Sequence, residues 1–86
     1  MKLSRNFIAH NTDRESILVP TGKEGFSGLV RGNRTLGVIL ELLKKEITEA
    51  EIVSAMTERF NAPEDVIVRD VRKALTELRR IGAIHE

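Results

Sequence analysis

FSGLVRGNRTLGVILELLKK, residues 26–45, changes period part way along. In the first six residues, Phe26, Gly28 and Val30 fall on one face of an extended chain. Ser27, Leu29 and Arg31 fall on the other. From Leu36 onward the apolar residues recur at three, four and seven: Leu36, Ile39, Leu40, Leu43. The first pattern predicts a strand over Phe26–Arg31 and the second a helix over Arg34–Lys45. Strands therefore lie before this stretch and helices after it.

Toward the N-terminus, FIAH (Phe7–His10) and SILVP (Ser16–Pro20) read as two further strands, the second closed by Pro20. NTDRE, with Asn11 and Asp13, and TGKEG, with Gly22 and Gly25, are the turns between strands. Three short strands joined this way predict an antiparallel meander. Toward the C-terminus, Thr48-Glu49-Ala50-Glu51 is a capping box opening a second helix, which carries Ile52, Met56 and Phe60 on one stripe. Pro63 suits the first turn of a third helix, and Glu64 and Asp65 suit the positive end of its dipole. Val71, Leu75 and Leu78 continue its apolar stripe, and Gly82 supplies a left-handed stop. The expected fold is α+β: a three-stranded antiparallel sheet (about 7–31) followed by a three-helix bundle (about 34–82), winged-helix-like, as a single domain over 1–86.

Composition narrows the function. Eighty-six residues, 41% hydrophobic and 31% charged, are those of one globular domain. There is no cysteine, hence no disulfide and no thiolate chemistry. No apolar run approaches the roughly 20 residues of a membrane span. The opening MKLSRNF leads into no long apolar segment, so no signal peptide is expected and the expected setting is cytoplasmic. Fourteen basic and thirteen acidic residues nearly cancel.

Catalysis finds little support. His10 and His85 are the only histidines and stand at opposite ends of the chain. The acid pairs Glu49/Glu51 and Glu64/Asp65 are explained as helix N-terminal charges. GKEG lacks the spacing and the following Ser/Thr of a phosphate loop. The expectation is no enzyme, no metal and no cofactor. A winged-helix DNA reader is the alternative, with Arg69, Arg72, Lys73, Arg79 and Arg80 on the third helix. Base reading uses the first turns of such a helix, and here those turns carry Glu64 and Asp65, which phosphates repel. Interspersed Asp70 and Glu77 make the arginines a solvated face.

The third strand is more telling. As the last strand of a meander it is an edge with unpaired amides and carbonyls. Gly25 and Gly28 lower the steric barrier to a close backbone, so an extended peptide can add there as a strand. The bland alternative makes Leu18 and Leu29 isolated exposed apolar residues, which are common. A second copy closing the same rim, giving a homodimer, is compatible with either.

Nearly the whole chain resembles the pyrroloquinoline quinone (PQQ) synthesis protein D (PqqD) family. The resemblance is carried by ILVP at 17–20, GFSGLV at 25–30 and N-x-T with ILELL at 33–43. T-x-x-E-I at 48–52, Phe60 with PEDV at 63–66, and RDVRKALTELRRIGAI at 69–84 complete it. The chain departs from the family's usual pattern at Leu40, where an aromatic is common, and at Gly32, where leucine is. The resemblance implies the same three strands and three helices. It also implies a non-catalytic chaperone or adaptor, which binds the leader of a ribosomally made precursor peptide and presents it to a modifying enzyme, often of the radical S-adenosylmethionine type. Carried onto this chain, the peptide would lie between Phe26, Ser27, Gly28, Leu29, Val30 and Arg31 on one wall and Val68, Arg69, Arg72 and Lys73 on the other.

Overall fold

The computed structural model describes residues 1–13, 15–21 and 30–86. The elements are β1 (Lys2–Leu3), β2 (Phe7–Asn11), β3 (Ser16–Pro20), β4 (Val30–Gly32), α1 (Arg34–Leu42), α2 (Glu49–Arg59), α3 (Glu64–Arg80) and β5 (Ile84–His85). Strands β2, β3 and β4 form an antiparallel sheet in that order, with Ala9 and Val30 each opposite Leu18, and Ile17 opposite Arg31. The third strand runs one residue past the expected Arg31, to Gly32. Its expected first part, Phe26–Leu29, lies outside the described residues.

Leu18 is fully buried, so the expectation of an isolated exposed residue is corrected; Leu29 lies outside the described residues. Leu18 belongs to one core with Phe7, with Ile39, Leu40 and Leu43 of α1 and its end, and with Ile52, Met56, Val71, Leu75 and Leu78 of α2 and α3. Helix α1 is the middle layer, packed on the sheet and on α2. The opposite sheet face is partly open: Ile17 and Val19 are half-buried, and Ile8 is 58% exposed.

The helix boundaries follow local chemistry. The Asn33 side chain accepts from the Leu36 amide at 3.1 Å and opens α1. Thr48 Oγ1 accepts from the Glu51 amide (3.2 Å) while Glu51 Oε1 accepts from the Thr48 amide (3.0 Å), the reciprocal pair the sequence announces. Helix α3 begins one residue later than expected, with Pro63 as its extended cap and the Pro63 carbonyl taking the Val66 and Ile67 amides. Its end is a Schellman turn: Gly82 has φ +78°, the Ala83 amide donates to Leu78 O, and the Gly82 amide donates to Arg79 O.

Two features depart from the sequence reading. Helix α1 stops at Leu42 rather than Lys45: the Lys44 amide turns back to Glu41 O at 3.2 Å, and the Leu43 carbonyl, beyond the last helical residue, accepts from the Leu3 amide at 2.8 Å. The same N-terminal arm pairs with the C-terminal residues, Lys2 opposite His85 and Leu3 opposite Ile84, in a second, two-stranded sheet. The Met1 ammonium reaches the α1–α2 connection, bonding Ile47 O and Glu46, and its hydrogen bond holds the Glu46 carboxyl below the usual carboxylate range.

Gly37 allows α1 to lie against β3. A Cβ there would stand well inside contact distance of Ser16 Oγ, and the Ser16 side chain is buried. The Gly37 carbonyl also accepts from Asn11 Nδ2 at 3.3 Å. Gly37→Ala therefore sets a helix-propensity gain of about 1 kcal/mol against an overpacking cost of roughly 1–3 kcal/mol. A net destabilisation is expected in urea unfolding, and Ser16→Ala in the same chain is expected to recover most of it. A Gly37→Ala variant more stable than the parent refutes the close approach.

Candidate functional site

Strand β4 pairs with β3 and with no other described strand, so its second edge stands unpaired among the described residues. Alternate residues along it turn their amide and carbonyl away from β3. The C-terminal strand does not seal this edge; β5 pairs with β1 instead.

Beside that edge a cleft of about 420 Å³ opens between α1 and α3. Arg31 and Asn33 form its rim at the sheet. Thr35, Leu36 and Ile39 form the α1 wall. The α3 wall is Asp70, Lys73, Ala74, Glu77 and Leu78, spaced at three, four, seven and eight, so they form one continuous stripe. The floor is apolar, since Ile39 and Leu78 belong to the core while Leu36 and Ala74 are half-buried against it. The rim is charged with both signs. Glu77 is held by Arg80 at 2.7 Å, while Lys73, Asp70 and Arg31 are exposed and without an ion pair among the described residues.

The expected site residues separate. Arg31 and Lys73 line the cleft, and the backbone of Val30 and Arg31 forms the free edge. Phe26, Ser27, Gly28 and Leu29 lie outside the described residues. Arg72 bonds Glu49 of α2 at 3.4 Å, on a different side of the helix. Val68, four residues earlier, shares that stripe, while Arg69, one turn before Lys73, is exposed and does not line the cleft. Asp70, Ala74 and Glu77 were missed; stepping by three and four from Lys73 finds them once the helix rotation is known.

The remaining arginines of α3 do not make a phosphate-binding face. Arg72, Arg79 and Arg80 are each engaged by a carboxylate, of Glu49, Glu86 and Glu77, and Glu64 and Asp65 occupy the first turn. His10 and His85 stand on different sheets. Among the described residues no three of His, Cys, Asp and Glu come together as a metal site, and no helix is long and apolar enough to cross a membrane.

The model of one protein family, coenzyme PQQ synthesis protein D (PqqD), matches residues 15–84. Among solved structures the chain is similar to one described as TbiB1 in complex with the TbiA(beta) leader peptide. The TM-score is 0.76 at 21% identity, covering 99% of this chain and 100% of that one, which is a likeness of fold. No curated protein matches the chain.

Proposed function

Because the chain belongs to the coenzyme PQQ synthesis protein D (PqqD) family, we propose that it is a non-catalytic adaptor. It binds the leader segment of a ribosomally made precursor peptide and presents that peptide to a modifying enzyme, of the radical S-adenosylmethionine type. The observation that carries this reading is the coincidence of an unpaired strand edge at β4 with a preformed cleft beside it. Main-chain bonding to an edge supplies affinity without demanding sequence, and the neighbouring cleft supplies selection among side chains. A cleft that exists before the peptide arrives spares the cost of ordering it on binding. The solved relative carries a leader peptide, and the fold match spans both chains. Phe26–Leu29, which lie outside the described residues, are proposed as further peptide contacts.

The test is an amide NMR titration of the full chain with a synthetic peptide covering the leader of the precursor encoded beside its gene. Shifts are expected at Val30–Gly32 and at Lys73–Leu78, and none of comparable size with duplex DNA. Shifts along α3 with DNA that fade steeply with salt would support the winged-helix regulator instead. A concentration-dependent mass with the β4 edge buried would show a second copy occupying that edge.

Electrostatics gives a smaller prediction. Lys73 is exposed, so one ion pair to a leader carboxylate contributes about 0.2–1 kcal/mol. Lys73→Glu replaces that attraction with a repulsion of similar size and is therefore expected to weaken binding about 2- to 30-fold by isothermal titration, with the difference shrinking at high salt. Unchanged affinity at low salt would remove Lys73 from the site.

A further inference from the structure

The cleft does not end at Asp70. Thr35 and Asp70 also line a second hollow, of about 120 Å³, at the junction of α2 and α3. Its other walls are Met56, Phe60, Ala62, Val66, Ile67 and Val71, all apolar. Met56, Ile67 and Val71 are core residues, and Phe60, Ala62 and Val66 are half-buried. The hollow arises where α2 stops: Phe60 is already extended (φ −118°, ψ 130°), and the small Ala62 covers little of the gap before α3 begins at Glu64.

Such a space leaves the atoms around it without packing partners on one side, so a fitting apolar group gains contact there. Because the hollow shares Thr35 and Asp70 with the cleft, the two are one furrow with a polar neck. We infer that the hollow is the anchor pocket for a single aliphatic side chain, of leucine, isoleucine or methionine, on the peptide held in the cleft. This rests on the reading of the cleft as a peptide site and adds what that site selects.

Size sets the upper limit. An apolar cavity of about 150 Å³ accommodates benzene, so this smaller hollow takes a branched or thioether chain and excludes an indole. Charge sets the surroundings. The Asp70 carboxylate at the neck repels an acidic residue beside the anchor, while Lys73, one turn along α3 and on the cleft side, attracts one. Lys73 stands three residues past Asp70, about 4.5 Å along the helix axis, so the acid lies close to the anchor along the peptide. The recognised segment thus carries one aliphatic anchor and a nearby acid.

The experiment uses the full chain with labelled Met and Ile methyls and labelled amides. The probes are the same leader peptide and versions with each Leu, Ile or Met changed singly to Ala or to Trp. One position is expected at which Ala weakens binding about 10- to 100-fold, the loss of one buried side chain. Trp at that position is expected to weaken it at least as much. The parent peptide is expected to shift the methyls of Met56 and Ile67, and the Ala-substituted peptide to leave them unmoved. Ala62→Phe, which fills the hollow from its rim, is expected to reproduce the loss. Peptide-induced shifts at Val30–Gly32 with still Met56 and Ile67 methyls, or affinity changed less than about 3-fold at every aliphatic position, would overturn the anchor pocket and leave peptide binding standing. Shifts at neither place would overturn both.

Discussion

Leu40→Ala is expected to lower the stability of the domain by about 2–5 kcal/mol, the range for truncating a buried leucine. The side chain has no solvent exposure, and α1 packs both on the sheet and on α2. A void at Leu40 therefore removes contacts toward the sheet and toward the helices together, and neither layer collapses into it without losing packing elsewhere. An 86-residue domain is held by roughly 4–13 kcal/mol in total, so the change consumes a large share. At about 4–8 °C per kcal/mol for a domain this size, thermal unfolding followed by circular dichroism is expected to drop by roughly 8–40 °C. Leu40→Met, which keeps the volume, is expected to cost less than about 1.5 kcal/mol. A loss below 1 kcal/mol for the alanine variant would show that α1 is not the packing centre.

The centrality of α1 was legible in the sequence, because Leu36, Ile39, Leu40 and Leu43 follow one period over about two turns. Strand β3 was legible to the residue, since Pro20 cannot continue a paired strand and Ser16 follows the turn. The start of α2 was legible because both members of its capping box are local in sequence. What escaped was decided by partners distant along the chain. The two-residue strands β1 and β5 are too short to show any period, and they exist only because the chain's ends meet. The carbonyl just past the end of α1, at Leu43, takes its partner from an amide some forty residues earlier, at Leu3.

The candidate site divides along the same line. That β4 is an edge follows from its being the last strand of a meander, which sequence shows. Which arginines face the cleft does not follow, because Arg72 and Lys73 are adjacent in sequence but about 100° apart around the helix. The rotation of α3 is fixed by Ile67, Val71, Leu75 and Leu78 seeking the core. That choice turns Asp70, Lys73, Ala74 and Glu77 to the cleft and Arg72 toward Glu49. The resemblance points to the third strand and α3; the cleft has α3 as one wall, α1 as the other and only Arg31 from the strand at its rim, and side-chain selection within α3 needed the packed structure.

Ala74→Phe is expected to weaken leader-peptide binding by at least about 30-fold, the largest effect of any cleft substitution, on the scale of losing a buried aromatic-sized contact surface. Ala74 lies between Asp70 and Lys73 on one side and Glu77 and Leu78 on the other, in the middle of the α3 wall. It is half-buried, and its methyl leaves the floor open to a visiting side chain. A phenyl group there lies over Leu36 and Ile39 and takes the apolar surface that the peptide would cover. The fold is expected to survive, since the new ring enters open space rather than the packed interior, and the unfolding midpoint checks this in the same sample. Ala74→Ser, which adds polarity without bulk, is expected to keep affinity within about 3-fold, under 1 kcal/mol on the usual scale. The contrast separates blocking from loss of apolar surface: equal losses for Phe and Ser would indict the surface, and loss for Phe alone indicts the space. A folded Ala74→Phe protein that binds the peptide like the parent would place the peptide elsewhere. The β4 edge would then act without the cleft, and Asp70, Lys73 and Glu77 would have no part in choosing the partner.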